Sequence, residues 1–147
     1  MKGNRRMPSA SPADVLARRR QLMLAGDADG LADLFAPDAV IEFTFHGPPG
    51  TPVRLEGREL IREYSRQVMA SPLRLEDYEV TELYQAQDPE VVIVEMRAKA
   101  TVTTTGRPLT ASSIQVLRIR DGHIVLFRDF ADPRILEQVT GEPPPES

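Results

Sequence analysis

The chain has no cysteine and only two histidines, His46 and His123, in 147 residues. The first absence excludes disulfides, thiolate nucleophiles and cysteine-based zinc or iron-sulfur sites. With two histidines and no clustered carboxylates, neither a metal centre nor any other cofactor is expected. No stretch nears the roughly 20 apolar residues of a membrane span. The positively charged start, MKGNRR, is not followed by the apolar run of roughly 7 to 15 residues that a signal peptide needs. A cytoplasmic protein without a membrane partner is therefore expected. There is no internal repeat, no heptad pattern, no glycine-rich phosphate loop, and no run of Lys and Arg interleaved with aromatics. The net charge of -4 and pI near 5.2 would repel a phosphate backbone, so nucleic acid is not an expected partner.

What is present fits one globular domain. Hydrophobic residues make up 41% and charged residues 27%, well away from the composition of disordered chains. The ends differ from the middle. Residues 1–11 mix Lys, Arg, Asn, Pro and Ser without periodicity and residues 141–147 read GEPPPES, so two disordered tails are expected around a domain at 12–140.

Ser11-Pro12 marks a helix start, with Ser11 as N-cap and Pro12 at the first helical position; Val15, Leu16, Leu22 and Met23 form its apolar stripe and Gly26 ends it. Asp27 to Ala36 predicts a second short helix, stopped by Pro37-Asp38. From Ala39 to Phe45, the alternation of Ile41, Phe43 and Phe45 against Val40, Glu42 and Thr44 predicts a strand with one buried face. Gly47 to Pro52 predicts a loop. Glu56 to Ala70 predicts a third helix with Leu60, Ile61, Tyr64 and Val68 on one face. Four strands follow, near 74–85, 91–104, 109–120 and 123–131. The order ααβαββββ argues for an α+β fold, with helices covering one side of a curved antiparallel sheet.

Asp121-Gly122 between two apolar runs is a strong hairpin signal and predicts a register. A regular ladder pairs Arg120 with His123, Arg118 with Val125, Val116 with Phe127 and Ile114 with Asp129, placing Asp129 on a face with Ile114, Val116 and Phe127. The opposite face, with Leu117, Ile119, Ile124 and Leu126, is a candidate homodimer interface. In the 91–104 strand, Val92, Val94, Met96, Ala98, Ala100 and Val102 share an uncharged face. The small Ala98 and Ala100 leave room there for a cavity, or for a closely packed helix.

The stretches FAPDAVIEF, GPPGTPVRLEGRELI, TTTGRPL and RIRDGHIVLFRDFADPR, in this order of elements, resemble the SnoaL-like branch of the NTF2-like superfamily, whose members are cone-shaped α+β barrels. The resemblance covers about Asp14 to Val139. It implies a family of polyketide cyclases, ketosteroid-isomerase-like and limonene-epoxide-hydrolase-like enzymes, phenazine biosynthesis A/B proteins and members that only bind. In several of these enzymes an acid on the last strand points into the cone, and the matching position here is Asp129. The epoxide-hydrolase-like members hold a water with an Arg and Asp where this chain has Met96 and Ala98, and with a Tyr and Asn where it has Ile41 and Phe43. Epoxide hydrolysis of that type is therefore not expected.

A carboxylate at Asp129 among Ile41, Met96, Ile114, Val116 and Phe127 would be desolvated and its pKa raised, which suits general acid/base work. A structural ion pair with Arg118 or Arg134 is the competing explanation. His46, before the Gly-Pro-Pro-Gly loop, is a candidate second proton carrier or hydrogen-bond donor, or else a solvated loop residue. Tyr64 could donate its hydroxyl to a ligand oxygen, or simply pack in the core. The expected substrate is a small, largely apolar carbonyl compound bound against Ile41, Phe43, Phe45, Met96, Ala98, Ile114, Val116 and Phe127, and the expected reaction is cofactor-independent cyclisation or isomerisation. A non-catalytic small-molecule-binding protein and a dimerisation module are the alternatives.

Overall fold

A computed structural model describes residues 10–135; the predicted C-terminal tail and most of the N-terminal one lie outside that range. The first predicted helix is present as α1 (Pro12–Ala25). Ser11 and Asp14 form a reciprocal capping box at its start, and Gly26 takes a left-handed φ of 69° at its end, where a residue with a side chain would be strained. α2 (Ala28–Asp33) is shorter than predicted. Leu34 caps it, and Phe35 already begins β1 (Phe35–Phe43). Pro37 and Asp38 fall inside an irregularity of β1, between the partners Phe35 and Val40, a position where the missing N–H of proline breaks no ladder bond.

β2 (Val53–Glu56) pairs antiparallel with β1 and was not predicted; its four residues are too few to show an alternation. α3 (Arg58–Ala70) follows, its start fixed by Gly57, whose N–H donates to the Ala39 carbonyl at 2.8 Å. Arg62 reaches from α3 to Asp29 and Asp33 and ties it to α2. The remaining strands are β3 (Leu73–Gln85), β4 (Val91–Val102), β5 (Arg107–Arg120) and β6 (His123–Asp129). The sheet order is β2-β1-β6-β5-β4-β3, and β1 runs parallel to β6. The sheet is therefore mixed and open, where a wholly antiparallel one was predicted.

The Asp121-Gly122 turn is present, with φ of 52° and 77°, but the predicted register holds for only the two pairs next to the turn. Arg120 opposes His123 and Ile119 opposes Ile124; then Val125 bulges out, and Arg118 opposes Leu126, Leu117 opposes Phe127 and Gln115 opposes Asp129. The bulge has a packing cause. Ile124 and Phe127, three residues apart, would point to opposite sides of a regular strand, yet both are buried; one extra residue turns both inward. The faces predicted for β5 and for the start of β6 are therefore exchanged, while Phe127 and Asp129 stay on the inner face as predicted. Leu117, Ile119 and Ile124, predicted to be a dimer surface, are core, while Ile114 is 49% exposed on the outer face beside the half-exposed Val116.

The core lies between the inner face of the sheet and helices α1 and α3, around Val15, Leu16, Ile61, Val92, Val94 and Leu117. Truncating Leu117 there removes apolar contacts that the surroundings can refill only in part. Leu117→Ala should cost about 2–5 kcal/mol in urea unfolding; a loss under about 1 kcal/mol would mean that the hairpin register is wrong.

Candidate active site

Below α1 and α3 the inner face of the sheet is not filled. A cavity of about 510 Å³ opens there, lined by the apolar Leu31, Phe35, Ile41, Phe43, Val68 and Phe127, and by the polar Arg19, Tyr64, Ser65 and Asp129. This volume falls within the range usual for small-molecule sites. β6 brings Asp129 to the wall because Phe127 and Asp129 lie on one face of the strand beyond the bulge. β1, parallel to β6, sets Ile41 beside Phe127 and Phe43 beside Asp129.

The Asp129 carboxylate is half-buried and held from three sides. Oδ1 accepts from the Ser113 hydroxyl at 2.7 Å and from the Ala131 N–H at 3.0 Å, and Oδ2 accepts from the Gln115 amide at 3.5 Å. No ion pair engages it among the described residues. Arg118 binds Asp88 and Glu90 instead, and Arg134 binds Asp132. The carboxylate is therefore surrounded by neutral hydrogen-bond donors, where the sequence suggested a wholly apolar pocket.

Gln115 continues inward to a chain of polar groups that the sequence reading missed. The Arg19 Nη1–H donates to the Tyr78 hydroxyl at 2.8 Å, Tyr78 donates to Gln115 Oε1 at 3.1 Å, and the Gln115 amide donates to Asp129. The direction of this chain is fixed by its ends, since arginine can only donate and a carboxylate can only accept. Arg19 is 9% exposed. Its guanidinium carbon lies 4.7 Å from the Phe127 ring centre and 5.4 Å from that of Tyr78, a cation-π arrangement. One signal was available in the sequence. Among Arg18, Arg19 and Arg20, Arg19 alone falls on the stripe of Val15, Leu16 and Leu22, the buried residues of α1.

Of the predicted site residues, Ile41, Phe43, Tyr64, Phe127 and Asp129 meet at this cavity. Met96 shares the inner face but lines a second hollow, about 460 Å³, which Asp129 also borders. Ala98 lies directly opposite Tyr78 in the ladder; Tyr78, 1% exposed, takes up the room that the small residue leaves. Ile114 and Val116 alternate with the buried Gln115 and Leu117 and so face outward, and Phe45, past the end of β1, is exposed. His46 is not in the cavity lining. Its ring packs against Phe43 at 5.3 Å, with Nδ1 buried and without a hydrogen-bond partner among the described residues. Tyr64 packs against the same Phe43 ring at 5.4 Å. Burial, and then the nearby Asp129 charge, push its phenol above the ordinary 10.0, so it stays a neutral donor.

Residues 17–127 match the SnoaL-like domain over most of the chain's length. The chain belongs to the SnoaL-like family. An uncharacterised PhzA/B-like protein of Pseudomonas aeruginosa is 39% identical over 129 residues, 87% of this chain and 89% of that protein. A Bacillus subtilis protein of known structure, provisionally described as an isomerase, superimposes with a TM-score of 0.79 at 30% identity, covering 88% of this chain and 91% of that one. A Catenulispora acidiphila protein with a ketosteroid isomerase-like fold gives 0.73 at 19% identity, covering 91% and 96%, and supports the fold alone. The SnoaL-like chain described here thus has the NTF2-like α+β fold. No helix among its described residues is long and apolar enough to cross a membrane.

The influence of Asp129 on Tyr64 can be measured. In Asp129→Asn the negative charge that helps raise the Tyr64 pKa is gone, so NMR titration of ring-labelled tyrosine should show Tyr64 ionising at lower pH than in the wild type. An unchanged Tyr64 titration would mean that the two groups do not share the cavity.

Proposed function

We propose that this SnoaL-like protein is a cofactor-independent acid/base enzyme that enolises a small, largely apolar carbonyl compound, leading to isomerisation or intramolecular cyclisation. The observation that carries this reading is the placement of Asp129: a hydrogen-bonded carboxylate, free of ion pairs among the described residues, in the wall of an apolar cavity. Asp129 Oδ2, with one long hydrogen bond, takes the α-proton of the substrate, and the C–H electron pair passes into the enolate. Tyr64 donates its phenolic hydrogen bond to the carbonyl oxygen as charge develops there. In an isomerisation Asp129 returns the proton to another carbon. In an aldol closure the enolate carbon bonds to a second carbonyl carbon, and the proton goes to the new alkoxide. Apolar walls exclude water, which strengthens both interactions. His46 acts, in this reading, by holding Phe43 against the cavity rather than by carrying a proton.

A simple enolisable ketone tests the chemistry without knowledge of the natural substrate. The protein should accelerate exchange of the α-protons of β-tetralone into deuterium oxide, followed by proton NMR. Asp129→Asn should lower that rate by roughly 10²- to 10⁴-fold with the fold intact. If Asp129→Asn altered only the affinity for the ketone, the cavity would be a binding site and the enzymatic reading would fall.

A homodimer is part of the same proposal, formed through the outer sheet face where Ile114, Val116, Ile93 and Tyr84 lie together. Sedimentation equilibrium should give twice the 16.4 kDa chain mass; a monomer at micromolar concentration would exclude it.

A further inference from the structure

Arg19 has features that the enolisation chemistry leaves unused. Its guanidinium is buried in the cavity wall, yet it makes no ion pair among the described residues, and its Nε–H has no hydrogen-bond partner there. Burying a cation without a counter-charge is costly, and proteins that do so normally supply an acceptor. Tyr78 satisfies one N–H of the head group, and the aromatic rings of Tyr78 and Phe127 offset part of the charge. Neither provides an acceptor for Nε. Two part-buried arginine contacts of the fold differ in this respect: the Arg58 Nε–H donates to the Phe35 carbonyl and the Arg20 Nε–H to the Tyr78 carbonyl. Arg19 alone of the three has an Nε–H without an acceptor, and because that atom is itself covered, it is the rest of the guanidinium that borders the cavity.

We infer that Arg19 is the seat of a substrate carboxylate, so that the cavity takes an amphiphilic organic acid whose charged head rests on the guanidinium and whose apolar body lies against Phe35, Ile41, Phe43 and Phe127. The inference rests on the cavity reading above and deepens it: the substrate is an oxo acid rather than a neutral ketone. A carboxylate supplies the counter-charge that the site lacks and accepts from the part of the guanidinium that borders the cavity. The apolar lining accounts for the rest of the molecule. The relay through Tyr78 and Gln115 gives the two ends of the site separate tasks, because it holds the Arg19 guanidinium at one end and the Asp129 carboxylate at the other. One end binds the anion, and the other handles the proton.

The test compares octanoate with octanamide, which has the same apolar chain and no charge, by isothermal titration. Wild-type protein should prefer octanoate. Arg19→Gln should weaken octanoate binding by at least roughly tenfold, the loss of a charge-assisted hydrogen bond, while octanamide binding stays within about twofold. Arg19→Lys keeps the cation but replaces the planar guanidinium with a single ammonium that cannot also hold the Tyr78 hydroxyl in the same geometry; it should bind octanoate at least about threefold more weakly, and it carries the test should Arg19→Gln fail to fold. Equal affinity of the wild type for both ligands, an undiminished octanoate preference in the variant, or no octanoate binding at millimolar concentration would each overturn the inference. Asp129→Asn separates the two readings. It should bind octanoate at least as tightly as the wild type while losing β-tetralone exchange, so the exchange chemistry can fail with the Arg19 result standing, and the reverse.

Discussion

One extra residue in β6 decides what this cone can hold. Without the bulge at Val125, a regular ladder that keeps Leu117, Ile119 and Ile124 against the helices would turn Phe127 and Asp129 toward solvent. With it, Leu117, Ile119, Ile124 and Phe127 all enter the core, and Asp129 follows Phe127 inward. The bulge is therefore held in place by the burial of several large side chains, each contributing about 1.5–3 kcal/mol. The carboxylate is positioned by core packing that would be needed in any case.

Around that constraint the interior is divided. Towards β4 and the Asp121-Gly122 turn it is dry and close-packed. Towards the far end of β6 it admits Arg19, Tyr78, Gln115, Ser113 and Asp129, joined by hydrogen bonds. Such a network is demanding, since each member that loses its partner leaves a buried polar group behind at roughly 1–3 kcal/mol. Replacing a buried charged group with a well-packed apolar one is often neutral or stabilising, so stability alone does not call for an arginine here. Retention of the polar groups beside an unfilled space is more easily understood as an adaptation to a ligand than to the fold.

Much of this was legible in the sequence, and what was not has identifiable causes. The capped first helix, the third helix, the four long strands and the Asp-Gly turn each carry a local signal several residues long. β2 has only four residues, and the switch from α2 to β1 at Phe35 is enforced by pairing with Ile124, a partner remote in sequence. The hairpin register failed because an alternation read outward from the turn assumes no insertion. The assumption could have been questioned from the letters, because it placed Arg118 and Arg120 on the face given to the pocket. Asp129 was found because its position follows a recognisable strand ending, whereas its neighbours were misassigned with the register. Arg19 went unseen inside a run of three arginines, which reads as a solvated surface. Its place on the apolar stripe gains a meaning once Tyr78 and Phe127 are known to stand against it.

The uneven hydrogen bonding of the Asp129 carboxylate also has a stereochemical side. One oxygen is taken by a hydroxyl and a backbone amide at short range, and the other keeps a single long contact. A base held in this way presents one lone pair, from one direction, to anything resting on Phe43 and Phe127. In the proposed reaction a proton lifted and returned by that oxygen would leave and re-enter on the same side of the substrate plane, which is suprafacial transfer.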